Sequence, residues 1–187
     1  MDSDNDGDGV ADGMEITAGF DPADSADNPA SVYEDAEDSH TLRWRIYDDS
    51  PAGAAVANID DSQRQSRVIE TRGDGIANAY RLLLENGAPW GNTGQFVLRW
   101  SMRYPQGAYL YVDVETTAGH RFLQYAPIDD SPLGAGEYIV HGIGSAVYTQ
   151  GSWQTYARDL QEDLQIAQPG VRIPPGSTAS SFAAAGG

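Results

Sequence analysis

The chain has no cysteine and no lysine; all 11 of its basic residues are arginine. Without cysteine there is no disulfide scaffold, no thiol nucleophile and no cysteine-based zinc centre. No run is long and apolar enough to span a bilayer, so membrane insertion is not expected. Clustered cations of the kind that neutralise phosphates are also missing, which argues against nucleic acid and anionic membrane surfaces as partners. The three histidines, His40, His120 and His141, stand apart, with neither the i, i+4 spacing of a metal pair nor the setting of a catalytic triad.

Negative charge is plentiful. The net charge is −17, yet residues 1–38 hold 13 of the 28 acidic residues and no arginine, so the remainder carries 15 acids against 11 arginines and is only mildly acidic. The acidity belongs to the N-terminal segment, and there it has a pattern. With Asp4 as position 1, Asp6 falls at 3, Asp8 at 5, Gly9 at 6, the Val10 carbonyl at 7, Asp12 at 9 and Glu15 at 12. This is the spacing of a calcium loop. Ca2+ takes six to eight oxygens at about 2.3–2.6 Å; alternating carboxylates aim at one centre, the glycine allows the sharp turn, and the last glutamate supplies two oxygens. Asp4, Asp6, Asp8, Val10, Asp12 and Glu15 are therefore the expected metal ligands. The plainer reading, an acidic solvated run, does not account for the phase of these residues.

The apolar residue falls at Val10 rather than at Ala11, where an EF-hand usually places its β-link, and only three residues precede Asp4. Followed by Asp12-Gly-Met-Glu15 and Thr17-Ala-Gly-Phe-Asp-Pro22, residues 2–29 resemble the bacterial form of the thrombospondin type 3 repeat. The resemblance implies an extracellular calcium-binding spacer, and so a secreted or cell-surface chain with neighbouring domains of a larger parent protein.

From Leu42 onward, short Val-, Ile-, Tyr-, Phe- and Trp-rich stretches alternate with Gly, Pro, Asn and Asp clusters, the rhythm of an all-β, antiparallel β-sandwich, jelly-roll-like, with a short C-terminal helix. Strands are expected near Leu42–Asp48, Ala54–Ile59, Arg67–Arg72, Ala77–Leu84, Gln95–Tyr104, Ala108–Glu115, Arg121–Ala126, Glu137–Gly142 and Trp153–Tyr156. The fifth and sixth read as a hairpin turning at Pro105-Gln-Gly107. Leu160, Leu164 and Ala167 recur at helical spacing within 157–168, ended by Pro169-Gly170. The domain reading is a calcium segment at 1–29, an acidic linker at 30–41, a sandwich module at 42–170 and a mobile tail at 171–187, rich in Pro, Ser, Ala and Gly.

Trp44-Arg-Ile-Tyr-Asp48, Ser66-Arg-Val-Ile-Glu70, Ala79-Tyr-Arg-Leu82, Trp100-Ser-Met-Arg-Tyr104, Tyr125-Ala-Pro127 and Trp153 with Arg158-Asp-Leu160 give residues 42–168 a resemblance to an uncharacterised secreted bacterial β-sandwich module. It implies fold and context, with no ligand. Such modules continue after the helix into a closing strand; the different tail here leads us to expect a lost strand and an exposed sheet edge.

Glycan-binding sandwiches offer rings to sugar faces beside groups that bond hydroxyls. Arg99, Arg103, Tyr109, Tyr111, Asp113 and Glu115 share one face of the expected hairpin, and Trp90 lies in a loop; these are the candidate ligand residues for a polysaccharide or cell-surface glycan. The structural alternative is that the arginines pair with Asp113 or Glu115 across the ladder. Trp44 and Trp100 alternate with apolar residues and should pack inside. No nucleophile, base and orienter can be named together, so an enzyme is not expected; Arg121, Tyr125 and His141 are the residues a polysaccharide lyase would need on one face. The function expected is a calcium-binding repeat attached to an adhesion or carbohydrate-binding module, with a lyase-like fragment or a purely structural spacer as alternatives.

Overall fold

The computed structural model describes residues 5–6, 12–13, 16, 21–24, 32–75, 77–89, 96–104, 108–145 and 151–174, and the backbone of 179–186. Each of the nine stretches expected as strands is one: β1 (Trp44–Asp48), β2 (Ala55–Asp61), β3 (Ser66–Arg72), β4 (Ala79–Leu82), β5 (Val97–Met102), β6 (Ala108–Thr116), β7 (Gly119–Ala126), β8 (Tyr138–Gly142) and β9 (Gln154–Asp159). A helix, α1 (Leu160–Ala167), follows β9, and a tenth strand, β10 (Ala179–Gly186), comes last. The fold is all-β and no sheet closes into a barrel.

Six strands form one sheet in the order β1-β4-β10-β6-β7-β8, while β2–β3 and β5–β9 form two-stranded ribbons. The pairings are antiparallel with one exception: β7 and β8 run parallel, with Phe122 opposite Tyr138 and Tyr125 opposite His141. Residues 127–137 carry the chain back along the sheet before β8 begins. Gly142 lets this loop lie against the end of β8, because a Cβ there would stand 2.5 Å from the carbonyl oxygens of Ile128 and Asp130.

The hairpin expected at Pro105-Gln-Gly107 does not form. β5 pairs with β9, and β6 pairs with β7 and β10, so the two strands lie in different layers. Their apolar faces meet across the core, where Trp100 of β5 and Leu110 of β6 belong to one cluster. Alternation identifies an apolar face on each strand but does not say whether those faces lie side by side or face to face.

The tail differs too. Ile173 is buried, and β10 hydrogen-bonds on both sides, to β4 and to β6, so the strand expected to be lost is supplied by residues read as mobile. Its alanines and serines offer little side chain to bury; backbone pairing on two sides is what the composition concealed.

β6 shows the alternation most clearly: Leu110, Val112 and Val114 point inward and are buried, while Tyr109, Tyr111, Asp113 and Glu115 face out. Leu123, Tyr125 and Ile139 extend the inner face, and Trp100 and α1 cover it through Leu160 and Leu164. The helix starts where Asp159 Oδ1 accepts the N–H groups of Gln161 (2.8 Å) and Glu162 (3.0 Å), two donors that the first turn otherwise leaves unmet.

Candidate functional site

β5, β9 and α1 cover the β6-β7-β8 half of the large sheet, and the β2–β3 ribbon stands over the other half. The ribbon does not close onto the sheet. Between the layers lies a cleft of about 860 Å³, within the usual range for ligand sites. Its walls include Trp44 from β1, Val68 from β3, Trp100 from β5 and Leu110 from β6, with Trp153 just before β9. The loops at one end are pinned by Asn78, fully buried, whose Nδ2 donates to Pro51 O (2.8 Å) and whose Oδ1 accepts Gly75 N–H (3.0 Å). Residue 73 must be glycine there, since a Cβ would stand 2.4 Å from Asn78 Oδ1.

The most organised part of the cleft is built around Asp61, 6% exposed at the end of β2. Its Oδ1 accepts the Arg64 N–H (2.8 Å) and receives the Trp153 indole N–H at 3.4 Å, while its Oδ2 pairs with Arg103 Nη2 at 2.7 Å. Arg103 also donates from Nη1 to Gln63 Oε1 (2.9 Å). The Arg64 and Arg103 guanidinium groups lie 4.8 and 5.5 Å from the centre of the Trp153 ring, in cation–π range. The Arg64 N–H holds the Asp61 carboxyl below the ordinary carboxylate range against the upward push of burial, helped by Trp153 and Arg103. One fixed carboxylate thus orients an arginine, an indole and the β2–β3 turn together. Across the cleft, Glu34 Oε2 accepts Trp44 Nε1–H (2.9 Å) and orients that ring.

The residues expected to bind a ligand separate in three dimensions. Arg103 lines the cleft, and Tyr109 borders it on β6 but faces out with Tyr111. Arg99 is exposed on β5, in the other layer from β6. Tyr111 and Asp113 are half-buried on the outward face of the six-stranded sheet, where Asp113 is held by His120 and Glu115 lies opposite His120 in the register. The ladder pairing of Arg99 or Arg103 with Asp113 or Glu115 does not occur, because β5 and β6 are not neighbours. Trp90 lies outside the described residues. Trp100 packs inside as expected, whereas Trp44 is half-buried on the cleft wall. Asp61, Arg64 and Trp153 were not singled out as a unit; Asp60-Asp61 reads as an ordinary turn pair in sequence, and nothing local signals that Trp153, 92 residues away, returns to it.

Of the expected metal ligands, Asp4, Asp8, Val10 and Glu15 lie outside the described residues. For the rest, the Asn5 N–H donates to Asp12 Oδ1 at 2.8 Å, so the loop turns back to bring position 2 to position 9, and residues 12, 13 and 16 have helical backbone. A second acidic group, Asp38, His40 and Glu85, brings its ligand atoms close together. Arg43 already occupies that position, with Nη1 3.5 Å from Asp38 and Nη2 3.0 Å from Glu85, so a cation of the protein's own compensates the charge.

Tyr125 and His141 do meet, with ring centres 5.9 Å apart, but Arg121 turns away to Gln168 Oε1 (2.9 Å). In its place stand Arg158 and Asp163. Asp163 Oδ2 accepts from Tyr125 Oη (2.7 Å) and Arg158 Nε (2.9 Å), and His141 Nδ1 lies 3.8 Å from Oδ1. Burial, then the Asp163 charge, pushes the Tyr125 hydroxyl well up, and burial pushes His141 down. Tyr125, His141 and Asp163 are each at most 3% exposed, so this group of residues ties α1 and β9 to the sheet beneath a sealed surface. No protein-family model matches the chain, and no curated protein is significantly similar to it, so fold and site are read from its own residues.

Proposed function

We propose that this chain is the calcium-binding segment and glycan-recognition module of a larger secreted or cell-surface protein, with the interlayer cleft as the glycan site. The observation that carries this reading is the cleft itself: Trp44, Trp153 and Tyr104 line it beside charged groups whose positions are set by hydrogen bonds. A pyranose has apolar C–H faces and a rim of hydroxyls, and a site of rings interleaved with fixed donors and acceptors suits both. The calcium segment supports the extracellular placement through the spacing of Asp4, Asp6, Asp8, Val10, Asp12 and Glu15, and through the turn that joins Asn5 to Asp12. Bound calcium would bring together carboxylates that otherwise repel one another and so order the segment ahead of the sandwich.

Affinity electrophoresis of the whole chain through gels containing different polysaccharides tests the glycan half. Retention on at least one polymer, reduced about tenfold or more by Trp153→Ala or Trp44→Ala in variants that keep the native circular dichroism, is expected. No retention on any polymer by the folded chain overturns it. Titration calorimetry with Ca2+ tests the metal half: Asp4→Ala and Glu15→Ala should remove the binding heat, and heat unchanged by both refutes the ligand assignment.

A further inference from the structure

We infer that the ligand of the cleft is a saccharide without anionic groups, a polyol carrying neither carboxylate nor sulfate, an inference that rests on the glycan reading above. Four arginines and four carboxylates line the cleft, but they are not equally committed. All three nitrogens of Arg67 are engaged, Nε with Asn58 Oδ1 (2.7 Å), Nη1 with Asp60 Oδ1 (3.1 Å) and Nη2 with Asn58 O (3.1 Å). Arg72 Nη2 is paired with Glu70 Oε2 at 2.7 Å, and Arg103 with Asp61 and Gln63. Among the described residues only Arg64 of the four has no counter-ion; its guanidinium rests on Trp153.

The carboxylates stand differently. Glu34 accepts only neutral donors, Ala36 N–H (2.7 Å) and Trp44 Nε1–H (2.9 Å), and Asp35 accepts Glu37 N–H (3.0 Å). Asp74 has no cationic partner among the described residues. Three uncompensated carboxylates therefore face one uncompensated guanidinium, in a chain whose net charge is −17.

A polyanion entering this cleft meets like charge from both the walls and the whole molecule. Ionised carboxylates only accept hydrogen bonds and a guanidinium only donates them, whereas a hydroxyl does both. A neutral polyol can therefore satisfy Glu34, Asp35 and Asp74 through its O–H groups and Arg64 through its oxygens, with no ion to desolvate.

The test compares neutral polysaccharides, each beside its sulfated and carboxymethylated derivatives, for retention of the whole chain in calcium-containing buffer. Retention of at least one neutral polymer is expected, about tenfold or more stronger than for any of its charged derivatives and unchanged when salt is raised to about 1 M to screen the walls. Stronger retention by a charged derivative, weakening with salt, overturns the inference while leaving the glycan reading intact. Retention by none of the polymers overturns the glycan reading and this one with it. Asp35→Asn combined with Asp74→Asn, two exposed positions, should move the ratio of neutral to sulfated retention by about threefold or more toward the sulfated polymer. An unchanged ratio in that variant refutes exclusion of anions by the cleft charge.

Discussion

The two halves of the six-stranded sheet are built on the same alternation and end in different states. One row runs through Ile46, Tyr80, Ala184, Leu110, Tyr125 and His141 in continuous register. At the β7–β8 end of this row Tyr125 and His141 are sealed, whereas Ile46 at the β1 end is 44% exposed. The cover accounts for the difference. Trp100 stacks on Tyr156 at 5.2 Å, and Leu160 and Leu164 fill the space above β6-β7-β8. The β2–β3 ribbon touches the sheet where Tyr80 of β4, 1% exposed, donates to Arg72 O, and leaves the cleft beside Trp44 of β1 and Leu110 of β6. Burial of a sheet face is thus set by what stands over it as much as by its own residues.

Four substitutions and one change of pH break or sharpen this comparison. Leu123→Ala removes a fully buried side chain from the dense half and should cost about 4 kcal/mol in urea unfolding. Ile46→Ala, on the same sheet at the open end, should cost about 1 kcal/mol, since nearly half of that residue is already in water. Equal losses would refute the contrast between the halves. Asp163→Ala should come next, at about 3 kcal/mol, because it leaves Tyr125 and Arg158 without their shared acceptor; Arg158, 30% exposed, can rehydrate in part, which keeps the figure at the low end for a broken buried pair. Asp159→Ala removes the cap of α1 and should cost about 1 kcal/mol, seen as a lower midpoint of chemical unfolding.

The smallest effect is that of pH on His141, and its direction is fixed. Burial lowers its pKa, against the pull of Asp163 and with the help of Arg158, while Tyr125 completes its surroundings. The unfolded chain, with an ordinary histidine near about 6.5, takes up a proton before the folded one does. Stability from this group is therefore complete above about pH 6.5 and falls as pH drops through the depressed native value. The urea midpoint should fall less between pH 8 and pH 5.5 in His141→Gln than in the unaltered chain; equal slopes would show that His141 does not contribute.

How far the sequence reached depends on the range of the interaction. Nine strands and the helix were legible because period-two and period-3.6 patterns are local, although the pattern over 157–168 started the helix at 157, whereas β9 holds the chain up to the capping Asp159. β10 was not, because a run such as Ala-Ser-Ser-Phe-Ala-Ala-Ala183–185 has no alternation to betray a central strand; two partners with free edges decided it. The candidate ligand residues divided for a related reason. Tyr109, Tyr111 and Asp113 share a face of β6 as alternation requires, but Arg99 and Arg103 went to the opposite layer with β5, and only Arg103 reached the cleft. The cleft's central group, Asp61 with Arg64, Arg103 and Trp153, draws on three parts of the chain that no local signal connects.

By itself the sequence determined the all-β class, the placing of nine strands, the existence of α1 and the regular spacing of the N-terminal acidic residues, because each rests on residues within a few positions of one another. Tertiary structure alone decided the parallel β7–β8 pair, the insertion of β10, the separation of β5 from β6 and the opening of the cleft. All four depend on which apolar face meets which, and many pairings of the same local elements satisfy the pattern until the layers pack.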